Sequence, residues 1–180
     1  MQRVDDIAGL IRSIGFRCTG CAECCRSSAD DSSLVIVSPP EIREILAATG
    51  MEWDDAVEPY PEVVDCGDGR RYTFDWCIRR RKGACIFLDG GRCTIYEHRP
   101  WICRTYPFML DEGRLTVSAC RGVGAPLSDE EAFSAARALI ARFEAEWIEE
   151  RAIAAAFRAA DVPAGRLIVF DSDGMKVLDG

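Results

Sequence analysis

The chain has 180 residues, 48% of them hydrophobic and 29% charged, and a formal net charge of -8. That length suits one compact domain, expected to span 1–180, and that composition lacks both the polarity of a disordered chain and the long apolar run of a membrane span. So acidic a surface is a poor match for nucleic acid or an anionic membrane, and neither is expected as a partner.

The N-terminal stretch carries Asp5 and Asp6 and no apolar block of signal-peptide length, so the expected location is cytoplasmic. In that compartment thiols stay reduced, and ten cysteines in one chain then point to metal binding or redox chemistry rather than to a disulfide framework. Val4, Ile7, Leu10, Ile11 and Ile14 recur at steps of three and four, which predicts a short helix ended by Gly15. A polar loop is expected over 26–33 and a strand over 34–38. Ser38 and Glu41 then form a capping box that opens a helix closed by Gly50. Residues 51–71, with Pro59, Pro61, Gly67 and Gly69, show little period and read as a loop or insertion.

Short strands are expected over 72–76, 84–88 and 92–95, the last two forming a hairpin across Asp89, Gly90 and Gly91 with Cys85 and Cys93 on its two arms. A second capping box, Ser128 with Glu131, starts a long packing helix over 128–160. Its apolar stripe is expected at Phe133, Ala136, Ile140, Phe143 and Trp147. Residues 166–179 read as a terminal hairpin turning at Asp173 and Gly174. The fold class is therefore α+β: a small, irregular, cysteine-rich domain centred on metal, with short strands, flanking helices, one long C-terminal helix and a terminal hairpin.

The chemistry-bearing motif is FRCTGCAECC, which sets Cys18, Cys21, Cys24 and Cys25 in a C-x-x-C-x-x-C-C array. In C-x-x-C one tight turn aims two sulfurs at one ion. Adjacent cysteines point their side chains differently, so Cys24 and Cys25 are expected either to serve different sites or to include one that is not a ligand. Cys85, Cys93, Cys103 and Cys120 follow, and the expectation is that thiols from distant stretches converge in a metal-binding core over 16–122. Cys66 and Cys77 lie outside both groups, and the lone His98 is read as a second-shell donor or a helix-start residue.

Residues 66–104 carry nine Lys or Arg against four Asp or Glu, so this segment is basic within an acidic chain. Arg26, Arg99, Arg104 and Arg121 lie beside cysteines. They suit the task of offsetting the negative charge of a thiolate site, or else of making surface ion pairs. All-cysteine coordination fits zinc and iron–sulfur clusters alike. The near absence of histidine and the ferredoxin-like opening favour a [4Fe-4S] cluster, with Zn2+ the alternative.

The array from Phe16 to Gly122, including CIFLDGGRCTIYEHRPWICRTYPF, resembles the YkgJ-type cysteine-cluster proteins of the CxxCxxCC family of zinc- or iron-chelating domains. The resemblance falls on Cys18, Cys21, Cys24, Cys25, Cys85, Cys93, Cys103 and Cys120, with Tyr96, Arg99, Pro100, Arg104 and Pro107 as companions. It implies metal or cluster binding at those cysteines. A similar cysteine domain occurs in flagellin lysine N-methylases.

Three readings follow. The first is a cysteine-ligated metal or cluster protein with a structural or electron-transfer role. The second is an enzyme or enzyme accessory in methyl transfer or redox chemistry, although no nucleotide-binding glycine loop and no CxxxCxxC motif marks a cosubstrate pocket. The third is a zinc-stapled module that docks a protein partner through the Arg79 to Lys82 run and the long helix.

Overall fold

The computed structural model describes residues 3–26 and 34–178. The polar loop expected over 26–33 thus lies almost wholly outside the described residues, as does the last residue of the expected terminal hairpin. The fold is α+β, and the chain divides into two compact units, Met1–Cys21 with Pro100–Glu146, and Ala22–Arg99 with Trp147–Gly180.

In the first unit, helix α1 (Val4–Ile14) buries Ile7, Ala8 and Ile11 and ends where the Gly15 N–H reaches the Ile11 carbonyl. Helix α4 (Trp101–Thr105) leads into the hairpin of β10 (Phe108–Asp111) and β11 (Arg114–Val117). Phe108 and Leu110 pack with α1 against Ala132, Ala136 and Leu139 of the long helix α5 (Asp129–Ala159). Ser128 and Glu131 cap that helix reciprocally, as the sequence predicts.

The stripe is displaced from the expected one. Ala132, Ala136, Leu139 and Arg142 are the buried positions, Phe133, Ile140 and Phe143 flank them, and Trp147 is 53% exposed. Small alanines let neighbouring backbone approach closely, and that closeness overrides the larger side chains in setting which face is inside.

The second unit contains helix α2 (Pro39–Thr49), a single turn α3 (Trp53–Ala56), and two sheets. Strand β1 (Ile36–Val37), β5 (Trp76–Ile78) and β2 (Val57–Pro59) form an antiparallel trio in the order β1-β5-β2. The other sheet joins β3 (Val64–Asp65), β4 (Arg71–Phe74), β12 (Leu167–Asp171) and β13 (Gly174–Leu178) in the order β13-β12-β4-β3. Two ribbons complete the unit, β6 (Arg80–Arg81) with β7 (Ala84–Cys85), and β8 (Leu88–Asp89) with β9 (Arg92–Cys93).

Several expectations are corrected here. The stretch read as loop, 51–71, holds α3, β2 and β3 and the first residue of β4, because strands of two or three residues are too short to show a period. The single strand expected over 72–76 is broken at Asp75, which adopts a left-handed backbone, φ +62°. The strand expected over 84–88 is also two pieces, so Cys85 belongs to the β6–β7 ribbon and only Cys93 to the hairpin that turns at Gly90 and Gly91.

The terminal hairpin forms as predicted, but it is not a free appendage. Strand β12 runs parallel to β4, pairing Ile168 with Tyr72 and Phe170 with Phe74. A central strand covered on both faces reads as an unbroken apolar run, as Ile168, Val169 and Phe170 do.

The run ends in a buried carboxylate. Asp171, with no exposure, accepts the indole N–H of Trp76 at 2.7 Å, the ammonium of Lys176 at 3.1 Å and the Asp173 N–H at 2.9 Å. Lys176 also lies 4.1 Å from the centre of the Trp53 ring, and Trp53 meets Trp76 edge to face at 5.4 Å. Replacing Asp171 by alanine leaves a buried N–H and a half-buried ammonium without their acceptor. Asp171→Ala should therefore lose about 2–4 kcal/mol in urea unfolding, whereas exposed Asp65→Ala should change stability by less than about 0.5 kcal/mol.

Candidate metal centre

In the second unit the thiols are delivered by turns. The chain passes through Ala22 in the left-handed region, φ +57°, into a 3-10 turn over Glu23–Cys25. Arg26 then bridges Ala84, which sets this turn beside the ribbon that carries Cys85. Cys85 stands opposite Arg80, and Cys93 stands opposite Leu88 in the following ribbon.

That second ribbon closes through Gly90 and Gly91, at φ +53° and +81°, the backbone that a two-residue hairpin needs and that side chains with a Cβ resist. The ribbons are stitched by Ile86 N–H to the Arg79 carbonyl at 3.1 Å and Thr94 N–H to the Phe87 carbonyl at 2.8 Å. Phe87 and Ile95 anchor them in the apolar core while Cys85 and Cys93 remain half-buried.

The sulfurs of Cys24 and Cys25 lie 4.0 Å apart, so these neighbours present their thiols to a common region rather than diverging as expected. The Cys24 thiol is pushed far up in pKa. The cause is first its hydrogen bond with Cys25, then burial and the charge of Cys25, with Arg99 pulling the other way. Arg99 is itself held against Tyr96, its guanidinium 3.6 Å from the ring centre and its Nε donating to the Tyr96 carbonyl at 2.8 Å. Burial raises the Cys85 thiol, and the charges of Cys93 and Cys24 add to it, so Cys85 is within electrostatic reach of both.

In the first unit Cys103 sits on α4, which is braced by a buried arginine. Arg142, 6% exposed, donates to Thr105 Oγ1 at 2.9 Å and to Glu146 at 2.7 Å. At the end of that helix the Tyr106 hydroxyl donates to the Ala119 carbonyl at 2.6 Å, next to Cys120. The Gly122 N–H approaches the Cys120 sulfur at 3.4 Å.

A short antiparallel contact joins Phe16 to Val123, with Arg17 N–H on the Gly122 carbonyl at 2.9 Å. It lays the residues just before Cys18 against those just after Cys120. The contact is tight: a Cβ at Gly122 would stand 2.1 Å from the Arg17 carbonyl oxygen.

Each unit thus contains four of the eight expected ligands, Cys18, Cys21, Cys103 and Cys120 in the first and Cys24, Cys25, Cys85 and Cys93 in the second. Among the described residues no three His, Cys, Asp or Glu side chains stand close enough to enclose an ion. The donor chemistry nonetheless suits one. Paired thiols hold their protons where no cation offsets a second negative charge, and a bound metal ion supplies that offset while releasing the protons.

The two remaining cysteines differ from these. Cys77, 1% exposed in β5, has a thiol pushed up to about 11 by burial and then by the nearby Glu58 charge, and its sulfur lies 3.6 Å from the Glu58 carbonyl oxygen. It packs as a small apolar residue. Cys66 is exposed in the turn before β4. His98 ends a 3-10 turn, with Nδ1 3.4 Å from a Glu44 carboxylate oxygen. Arg142 and Gly122, which hold the cysteine-bearing segments of the first unit, were not singled out from sequence. The one legible sign was an arginine placed in register with the buried Ala132, Ala136 and Leu139.

An α+β chain whose turns and ribbons carry thiols, with cations set beside them, defines a cysteine-cluster metal protein. The chain belongs to the CxxCxxCC family, described as "Putative zinc- or iron-chelating domain", which matches residues 17–136, two thirds of its length. It is also similar to the uncharacterized protein MJ0661 of Methanocaldococcus jannaschii, 25% identical over 124 residues. That alignment covers 63% of this chain and 60% of the relative, so the chain spans about three fifths of that protein's length. No solved structure matches it. Among the described residues no helix is long and apolar enough to cross a membrane.

The approach at Gly122 gives a direct test. Gly122→Ala must push the Arg17 backbone away, and it should lower both the unfolding midpoint and the metal retained per chain. Gly9→Ala, which meets nothing within 4 Å in the interior of α1, should leave metal content unchanged and stabilise by about 0.5–1 kcal/mol. Unchanged metal in Gly122→Ala would separate this contact from the thiols beside it.

Proposed function

We propose that the protein binds metal through eight cysteine thiolates in two sets, Cys24, Cys25, Cys85 and Cys93 in one, and Cys18, Cys21, Cys103 and Cys120 in the other. Zinc or iron chelation is what the family description supports. The observation that carries the reading further is the grouping in the second unit. Two sulfurs stand 4.0 Å apart, and a third, from a separate ribbon, feels the charges of Cys24 and Cys93.

Four thiolates around one centre leave a net charge of about -2. Arg99 contributes to its compensation beside Cys24, and the Gly122 N–H does so at Cys120. Within this reading a [4Fe-4S] cluster is favoured over zinc, because the donors are all sulfur and the N-terminal array has ferredoxin-like steps of three. Such a cluster supplies one-electron transfer when bound, and the role proposed is electron transfer or service to a partner enzyme.

Purification without oxygen, followed by a visible spectrum and assays of iron, acid-labile sulfide and zinc per chain, tests the reading. A brown protein with matched iron and sulfide is expected. A colourless, zinc-loaded protein would sink the electron-transfer role and leave a structural one. Cys24→Ser and Cys103→Ser should each remove roughly half of the bound metal, and the double variant nearly all. Equal loading in all three would overturn the ligand assignment. Chelation of the native protein should lower its unfolding temperature, since metal that binds only the folded chain stabilises it.

A further inference from the structure

Apart from the thiols, the second unit contains a cleft of about 360 Å3 between the segment that follows β2 and the corner where β4 breaks into β5. It is lined by the aromatic residues Tyr60 and Phe74 with Ile36 and Val64, and by the acidic residues Glu62 and Asp75. Asp75 is the residue at φ +62°. That left-handed backbone costs energy for any residue with a Cβ and is tolerated best by Asn and Asp.

The strained corner is pinned on both sides. The Asp75 N–H donates to the Phe170 carbonyl at 2.9 Å, and its own carbonyl accepts the Tyr60 N–H at 3.2 Å. The residue is thereby held at the cleft wall, yet among the described residues no donor reaches its carboxylate.

The charges around it are negative. Asp171 on β12 and Glu150 on α5 repel Asp75, and Glu62 lines the same cleft. The neighbouring cation, Lys176, is engaged by Asp171 at 3.1 Å. Burial first, and then Asp171 and Glu150, push the Asp75 carboxyl up to about 6, from an ordinary value of 3.8. A carboxylate without a donor, among other carboxylates and against aromatic rings, is complementary to a cation with an apolar body.

We propose that this cleft binds an organic ammonium ion, with the ammonium on Asp75 and the hydrocarbon body against Tyr60 and Phe74. Inorganic cations lack the body that the aromatic residues would cover, and neutral alcohols lack the charge that the Asp75 carboxylate attracts. This site is independent of the thiols and of whichever metal they hold.

Titration of the full metal-loaded chain with n-butylammonium chloride, followed by NMR shift changes or calorimetry, is the test, with n-butanol and potassium chloride as matched controls. At pH 7.5 n-butylammonium should bind at least tenfold more tightly than either control. Asp75→Asn should weaken it at least tenfold with metal content unchanged. Asparagine tolerates the left-handed backbone, so this variant should fold.

Lowering the pH of the wild type from 7.5 to 5 should weaken binding about tenfold, because most of Asp75 is then protonated. Glu150→Gln should move that pH midpoint downward, a shift that a merely structural role for Asp75 would not produce. Stability gives a second readout. Because the folded chain holds the Asp75 proton more tightly than the unfolded one, its contribution is present below about pH 4 and lost as pH rises through about 6. Asp75→Asn should therefore be the more stable chain above pH 6 and lose that advantage below pH 4. Equal binding of n-butylammonium and n-butanol, or undiminished binding by Asp75→Asn, would overturn the proposal.

Discussion

Two sulfur atoms 4.0 Å apart, one exposed and one half-buried, resist carrying full negative charge together without a cation to share, and this pair sits at the centre of the cysteine-bearing turns of the second unit. Nothing in the backbone relieves the pressure by turning Cys24 away from Cys25. The 3-10 turn keeps them together, the bridge from Arg26 to Ala84 adds Cys85, and Arg99, held against Tyr96, supplies a positive charge near Cys24. The Cys24 and Cys85 thiols are accordingly held above the ordinary thiol range.

The apolar core that supports these ribbons does not arise from the cysteine-rich stretch alone. Phe87 and Ile95, on either side of Cys93, share a cluster with Val169 from β12, a strand that lies beyond the residues matching the family. Asp171, at the end of that strand, ties Trp76 and Lys176 together. A strand far along the chain thus completes the packing under ribbons whose own strands are only two residues long and too short to be stable unaided.

The same carboxylate links two electrostatic regions of the unit. Asp171 is satisfied by an indole, an ammonium and a backbone N–H, while Asp75, one residue before the Trp76 that donates to Asp171, has no donor among the described residues. The unit places one carboxylate in a complete network and leaves the next facing a cleft. Buried charge is retained where it is paired; an unpaired carboxyl such as Asp75 instead holds its proton more tightly, and burial pushes it up to about 6.

Much of this was legible in the chain before folding. The array from Cys18 to Cys25, the two capping boxes at Ser38 and Ser128, and the hairpin about Gly174 are local patterns, each set by residues within one or two turns of one another. Local sterics and hydrogen bonding decide such features, so spacing is enough to read them. What tertiary structure alone decided is long-range. It set the ribbon that carries Cys85 beside the turn that carries Cys24 and Cys25. It also paired β12 with β4 across almost a hundred residues, and put Ala132 and Ala136 inside with Trp147 outside. Strands of two residues have no period, and a buried carboxylate looks like any other acid until its distant partners are in place. Those outcomes rest on packing and on charge brought together by folding, which no local spacing encodes.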